Sequence, residues 1–485
     1  MRGVRSVAIA SVFVALASGR ARAGEVVEPW PDGTTPHKRY EVDEAGRRQG
    51  RYLEYREDGK TVAIDAGYRN DVLEGSYLES FPSGRPSVRT SYRAGKRHGH
   101  FESFSPEGDP LEVATYVDGA FDGKRSVWRN KKLVAAQTWK SGSLATLDGV
   151  VAFPRTAEEV TRTVEKILQG ELPQAPAPAK GKTRPTAKAP VPSPAPPASS
   201  AALAAAPKDL DALRTQALRR LRAYRYVCGV PWEDVVAPDG PTLSAQYASL
   251  VCARLGEITH EPSNPGLPDD VFQRCAKGAS ECNLHQGREM TGRSAVDGWM
   301  DDSDPSNIDR VGHRRWALSL ALRDTGFGFS DGSKDRFCAM YAMDHSRVER
   351  ADLPFVLFPA RGWTPVDLFS AHHAWSVAID PVAALRLDVA NAKIRVTRLS
   401  NDFVPADADL EIERVSFIPD GAIGGRPVLI FRPKAIDVSV GAAYLAELTS
   451  VDPKSRKPTV FLRWVAGFSG ATPSGAAPEG EDSAK

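Results

Sequence analysis

The spacing of apolar and polar positions changes along this chain, and the changes divide it into segments. From residue 50 to 142, aromatic and β-branched residues alternate with polar ones and are broken by glycines at a fixed interval. Gly50, Gly75, Gly99 and Gly123 stand 25, 24 and 24 residues apart, and Gly59, Gly84 and Gly108 follow the first three by nine. Aromatics recur after the leading glycine (Tyr52, Tyr77, Phe101) and again later in each unit (Tyr68, Tyr92, Tyr116, Trp139). A fixed period marks a repeat array. Turns such as Asp58-Gly59 predict two short strands per unit, which must stack because one hairpin cannot bury its aromatic face.

From residue 208 the period becomes helical. Leu210, Leu213, Ala217, Leu221, Tyr224 and Cys228 fall on one face, and Gly229 and Pro231 end the helix. Leu243, Tyr247, Leu250, Val251 and Leu255 predict a second helix ended by Gly256, and a short third runs from Ser294 to Asp301. Strands follow near Thr325–Phe329 and Phe337–Ala342. From 350 to 468 short β-rich runs separated by turns predict an immunoglobulin-like β-sandwich.

The remaining segments change the picture at the ends and in the middle. Arg2 and Arg5, the apolar run from Val7 to Ser18, and Ala21-Arg22-Ala23 read as a signal peptide over 1–23, with a lead-in over 24–49. The apolar run is too short to span a hydrocarbon core of roughly 30 Å. The mature chain is therefore expected to be exported, periplasmic or extracellular, and not transmembrane. Residues 171–207 are nearly all Pro, Ala, Ser and Lys and read as a solvated, extended linker. The tail at 469–485 reads as disordered.

With 63 basic against 61 acidic residues, the charge balance argues against a dedicated nucleic-acid binder. All five cysteines, Cys228, Cys252, Cys275, Cys282 and Cys338, lie between 228 and 338, which in an oxidising compartment predicts disulfides. Cys275 with Cys282 is the simplest pair.

Two resemblances add to this reading. The 50–150 segment resembles MORN-type repeats, which implies a β-platform for binding. Between 208 and 345, "LRRLRAYRYVCGVPW", "LSAQYASLVCARLGEITHEP", "AVDGWM" and "GHRRWALSLALRDTGFGF" occur in the order of the CAP family of secreted domains. The resemblance implies an α-β-α sandwich, giving an expected multidomain α+β chain. It also implies a cleft lined by two histidines and two acids. His260 in "THEP" and His313 in "GHRRW" match the histidines, and Asp302 stands where one acid is expected. Where the other acid is expected, Cys282 precedes Asn283.

Two imidazoles and a carboxylate can hold zinc with a position left for water, so His260, His313 and Asp302 are the candidate metal and catalytic set. Asp302, Asp304, Asn307 and Asp309 are rich in oxygen ligands but lack the glycine and glutamate of a calcium loop, and capping is expected of them. His372 and His373 are expected on a strand, facing opposite ways. The leading expectation is an exported binding protein whose ligand is a lipid, glycan or protein. The alternatives are a metal-dependent hydrolase using the same cleft and a structural envelope protein whose Lys-rich linker meets cell-wall polymer.

Overall fold

The computed structural model describes residues 23–171, 205–347, 353–419, 421, 423–451 and 457–470. Nearly all of the signal-peptide, linker and tail assignments lie outside the described residues. The chain divides into two compact units, 1–149 and 150–485.

The first unit is built on twelve strands of one antiparallel sheet. Apart from the two-residue strand Lys96–Arg97, its strands follow one another in chain order from Gly24–Pro29 to Ser143–Leu147. The fixed interval in the sequence has a structural cause. Gly50, Gly75, Gly99 and Gly123 are the cross-strand partners of Tyr68, Tyr92, Tyr116 and Trp139. Each recurrent glycine therefore faces the second aromatic of its own unit. Gly59 and Gly84 adopt φ of 60° and 80° at the tight turns, a region that glycine enters without steric cost. The aromatics stack along the sheet: Tyr52 lies 5.4 Å from Tyr68, Phe101 5.7 Å from Tyr116, and Phe121 5.1 Å from Trp139. Each such contact adds about 0.5–1.5 kcal/mol beyond its buried area. The 24–49 lead-in supplies two strands, Gly24–Pro29 and Pro36–Val42, to the same sheet.

The second unit opens with a helix, Ala157–Gln169, at residues the sequence reading left unassigned. Thr156 caps its start, Gly170 closes it in a left-handed conformation, and Val160, Val164 and Ile167 are buried. Helices Leu210–Val227, Asp239–Leu255, Asp269–Glu281 and Gly292–Asp301 follow. They flank a three-stranded antiparallel sheet in the order Cys282–Gly287, Arg336–Tyr341, Phe327–Asp331. The expected face of the first of these helices is the buried one. The C-terminal strands form a four-stranded and a five-stranded sheet. Within the expected β region from 350 to 468, residues 385–389 and 436–440 are turns and loop, and Gly362–Pro365 and Pro405–Asp409 are among the strands.

The expected α+β architecture is corrected on this evidence. Strand makes up 41% of the described residues and helix 21%. Neither the α-β-α sandwich nor a self-contained immunoglobulin-like sandwich describes what forms. A sheet of three short strands cannot cover its helices alone. Leu213, Leu221, Tyr224 and Trp299 therefore join one continuous core with Phe358, Trp375, Phe431 and Trp464 of the C-terminal sheets. Tyr224 and Phe358 bring their rings to 6.3 Å, and Trp375 and Trp464 to 6.0 Å.

Candidate functional site

Two consecutive carboxylates end the Gly292–Asp301 helix and organise what surrounds it. The helix begins with a capping box in which the Thr291 hydroxyl accepts from the Ser294 amide at 3.0 Å. It ends at Asp302, which takes the left-handed conformation (φ 48°), an uncommon one for a residue with a Cβ. Asp302 is 2% exposed. Its Oδ1 accepts from His313 Nδ1 at 2.7 Å and its Oδ2 from the Arg314 amide at 3.0 Å. The Arg314 guanidinium is buried beside it, donating to the carbonyls of Met300, Asp301 and Ala374, each at 2.7 Å. Burial lowers the Arg314 pKa to about 10, and Asp302 followed by Asp301 are the charges that hold it up.

His260 and His313 line one cleft of about 270 Å³, together with Glu281, Cys282, Asn283, Arg310 and Trp316. Both rings are anchored by the same nitrogen. His260 Nδ1 lies 2.7 Å from the Ala279 carbonyl, and His313 Nδ1 lies 2.7 Å from Asp302. A carbonyl and a carboxylate accept only, so each Nδ1 carries a proton, and in its neutral form each ring keeps its lone pair on Nε2. This is the arrangement in which a histidine is oriented from behind to meet a ligand.

Asp302 stands behind His313 rather than beside it as a ligand. Among the described residues, no third His, Cys, Asp or Glu completes a metal-holding set with the two cleft histidines. The calcium-like segment engages its oxygens with other groups of the chain. Asp304 accepts from the Ser306 amide and from Asn307 Nδ2, and Asp309 takes both contacts from Arg414 Nη1.

The expected disulfides are corrected: all five cysteines are free thiols. Cys252, Cys275 and Cys282 pack within one apolar cluster, and Cys338 is buried on the neighbouring strand. Cys275 lies within the Asp269–Glu281 helix, whereas Cys282 begins the extended strand that follows it. Burial, and then Glu281, push the Cys282 thiol well above its ordinary pKa, so it is no activated nucleophile.

His372 and His373 do not sit on a strand, which corrects their expected separation. They occupy a tight turn ahead of the Trp375–Ile379 strand, where the His373 amide donates to the Ser370 carbonyl at 3.1 Å. The turn sends both rings the same way. His372 Nε2 lies 3.5 Å from Asp301 Oδ2, and His373 Nε2 lies 3.3 Å from Asp301 Oδ1. Burial, reinforced by Arg314, lowers the His373 pKa.

His285 was also missed by the sequence reading. It sits on the Cys282–Gly287 strand against Gly298, where an added Cβ would stand 2.4 Å from its Nε2. Burial first, then His313, lowers its pKa. The signal for His285 lay in the same "ECNLHQG" block that was read for an acid.

No protein-family model matches the chain, and no curated protein matches it. No helix among the described residues is long and apolar enough to cross a membrane.

Proposed function

We propose that the protein is an exported binding protein and that its cleft takes a hydroxyl-rich ligand, a sugar residue of an envelope glycan. One observation carries this reading: two imidazoles, each fixed through Nδ1, line a single cleft of about 270 Å³ and leave Nε2 for a ligand. Lone pairs on Nε2 accept from hydroxyls. Asn283, Arg310 and Glu281 add polar partners, and Trp316 offers a ring face. The volume and polar lining suit a sugar better than an acyl chain. The leader-like start of the chain supports export. The Lys-containing 171–207 segment fits a spacer near anionic polymer. The hydrolase alternative draws no support from a cleft with two histidines, a raised thiol and an Asp302 whose two oxygens are engaged.

The test is a titration of the tag-free chain with soluble muropeptide, read by calorimetry, for the parent and for His260→Ala and His313→Ala. Saturable binding that weakens at least about tenfold in both variants supports the reading. Binding that both variants retain in full, or no binding at millimolar muropeptide, overturns it.

A further inference from the structure

We propose that Asp301, His372 and His373 form a binding site for a divalent transition ion of the zinc class, distinct from the His260–His313 cleft. One ligand atom from each of the three lies within 4.8 Å of the others. Among the described residues this is the group of histidine, cysteine and carboxylate ligands that converges so closely. The chemistry selects the ion. Two imidazole nitrogens and one carboxylate oxygen suit zinc, cobalt or nickel, whereas calcium and magnesium take oxygen ligands. His372 is half exposed and Asp301 about one-third exposed, so the fourth position opens to water.

The ligands stand on two segments that the fold already fixes against each other. Arg314 donates to the backbone carbonyl of Asp301 with Nη2 and to that of Ala374 with Nη1, both at 2.7 Å. One buried side chain thus ties the helix end to the histidine turn. Arg314 meets Asp301 through its backbone carbonyl, so the Asp301 carboxylate oxygens face the two histidine rings. Supporting contacts surround the ligands. The Ser370 hydroxyl lies 2.7 Å from His372 Nδ1 and can accept its ring proton, leaving Nε2 for the metal. The Ser303 hydroxyl donates to Asp301 Oδ1. His373 Nδ1 accepts from the Ser370 amide at 3.3 Å, which places the ring proton on Nε2 toward Asp301; an ion at Nε2 requires that proton on Nδ1 and a small turn of the ring away from the amide. The bound ion cross-links the end of the Gly292–Asp301 helix to the turn before the Trp375–Ile379 strand.

The experiment uses the full, tag-free chain, stripped with chelator, loaded with zinc, gel-filtered and assayed by elemental analysis. About one zinc per chain is expected for the parent and for His313→Ala. His372→Ala, a substitution at an exposed turn, is expected to weaken zinc binding by more than about 100-fold with an unchanged far-UV spectrum. Cobalt loading provides a second readout, giving visible d–d bands in the parent that His373→Gln and Asp301→Asn abolish. A parent chain that retains no zinc, a His372→Ala chain that retains it in full, or loss of zinc in His313→Ala with retention in His372→Ala overturns the proposal. The first of these results leaves the glycan-binding reading of the cleft standing, because muropeptide binding is measured without metal.

Discussion

Replacing Asp302 with Asn removes the negative charge that lies between a cleft histidine and a buried arginine. The side chain is 2% exposed, and its two oxygens accept from His313 Nδ1 and from the Arg314 amide. Breaking one partner out of a buried charged pair costs about 3–5 kcal/mol. Asn keeps an acceptor for the amide, and Asp301 remains near Arg314, so the expected cost lies near the lower end, about 3 kcal/mol. For a unit the size of residues 150–485, that cost lowers the calorimetric midpoint by about 4 °C. Asp302→Asn and Arg314→Met share one interaction, so their effects in a double variant are expected to fall short of additivity by at least about 1 kcal/mol. The Asn amide also turns a donor toward His313 Nδ1. The ring is then expected to carry its proton on Nε2 and to present a donor where it had a lone pair, so muropeptide affinity falls with stability. A midpoint within about 1 °C of the parent, or strict additivity with Arg314→Met, would refute the reasoning.

Gly298→Ala places a Cβ 2.4 Å from His285 Nε2, and a calorimetric loss of about 1–3 kcal/mol is expected; an unchanged midpoint contradicts the packing. Burial raises the Cys228 thiol to about 12, and the other four cysteines are buried, so a thiol reagent at pH 8 should count five thiols only after denaturation. A lower count in denaturant would show disulfides. Asp43 and Asp58 are held at a pKa of about 2, the first by the Arg47 amide and side chain and the second chiefly by the Thr61 hydroxyl. Their folded values lie below the unfolded value near 3.9, so their stabilisation is complete above about pH 4 and is lost as pH falls through about 2. Carboxyl carbon shifts that titrate near 4 at these two residues would contradict the turn geometry.

Much of the first unit was legible because its period is local. A glycine opposite an aromatic, as at Gly50 and Tyr68, must recur wherever the hairpin recurs, and spacing alone reports it. The helical face from Leu210 to Tyr224 was legible for the same reason. The architecture of the second unit was not. Nothing in the local pattern says that Trp299 and Trp464 enter one core, because that depends on contacts between distant segments. His260 and His313 were found from their motifs, and the fold brings them to one cleft. Spacing placed Asp302 near His313 but could not say how they meet, because a carboxylate that faces a ligand and one that orients the histidine from behind share the same spacing. His372 and His373 were misjudged because a strand was assumed where a turn forms, and a turn lets neighbouring side chains face one way.

The most direct test of the central claim is a long-range proton–nitrogen spectrum of the histidine rings at pH 8, recorded before and after adding muropeptide. The account predicts that His260 and His313 carry their protons on Nδ1 in the free protein and that both Nε2 signals move as the ligand saturates. Protons found on Nε2 of either ring in the free protein, or Nε2 signals that stay fixed at millimolar ligand, would contradict it.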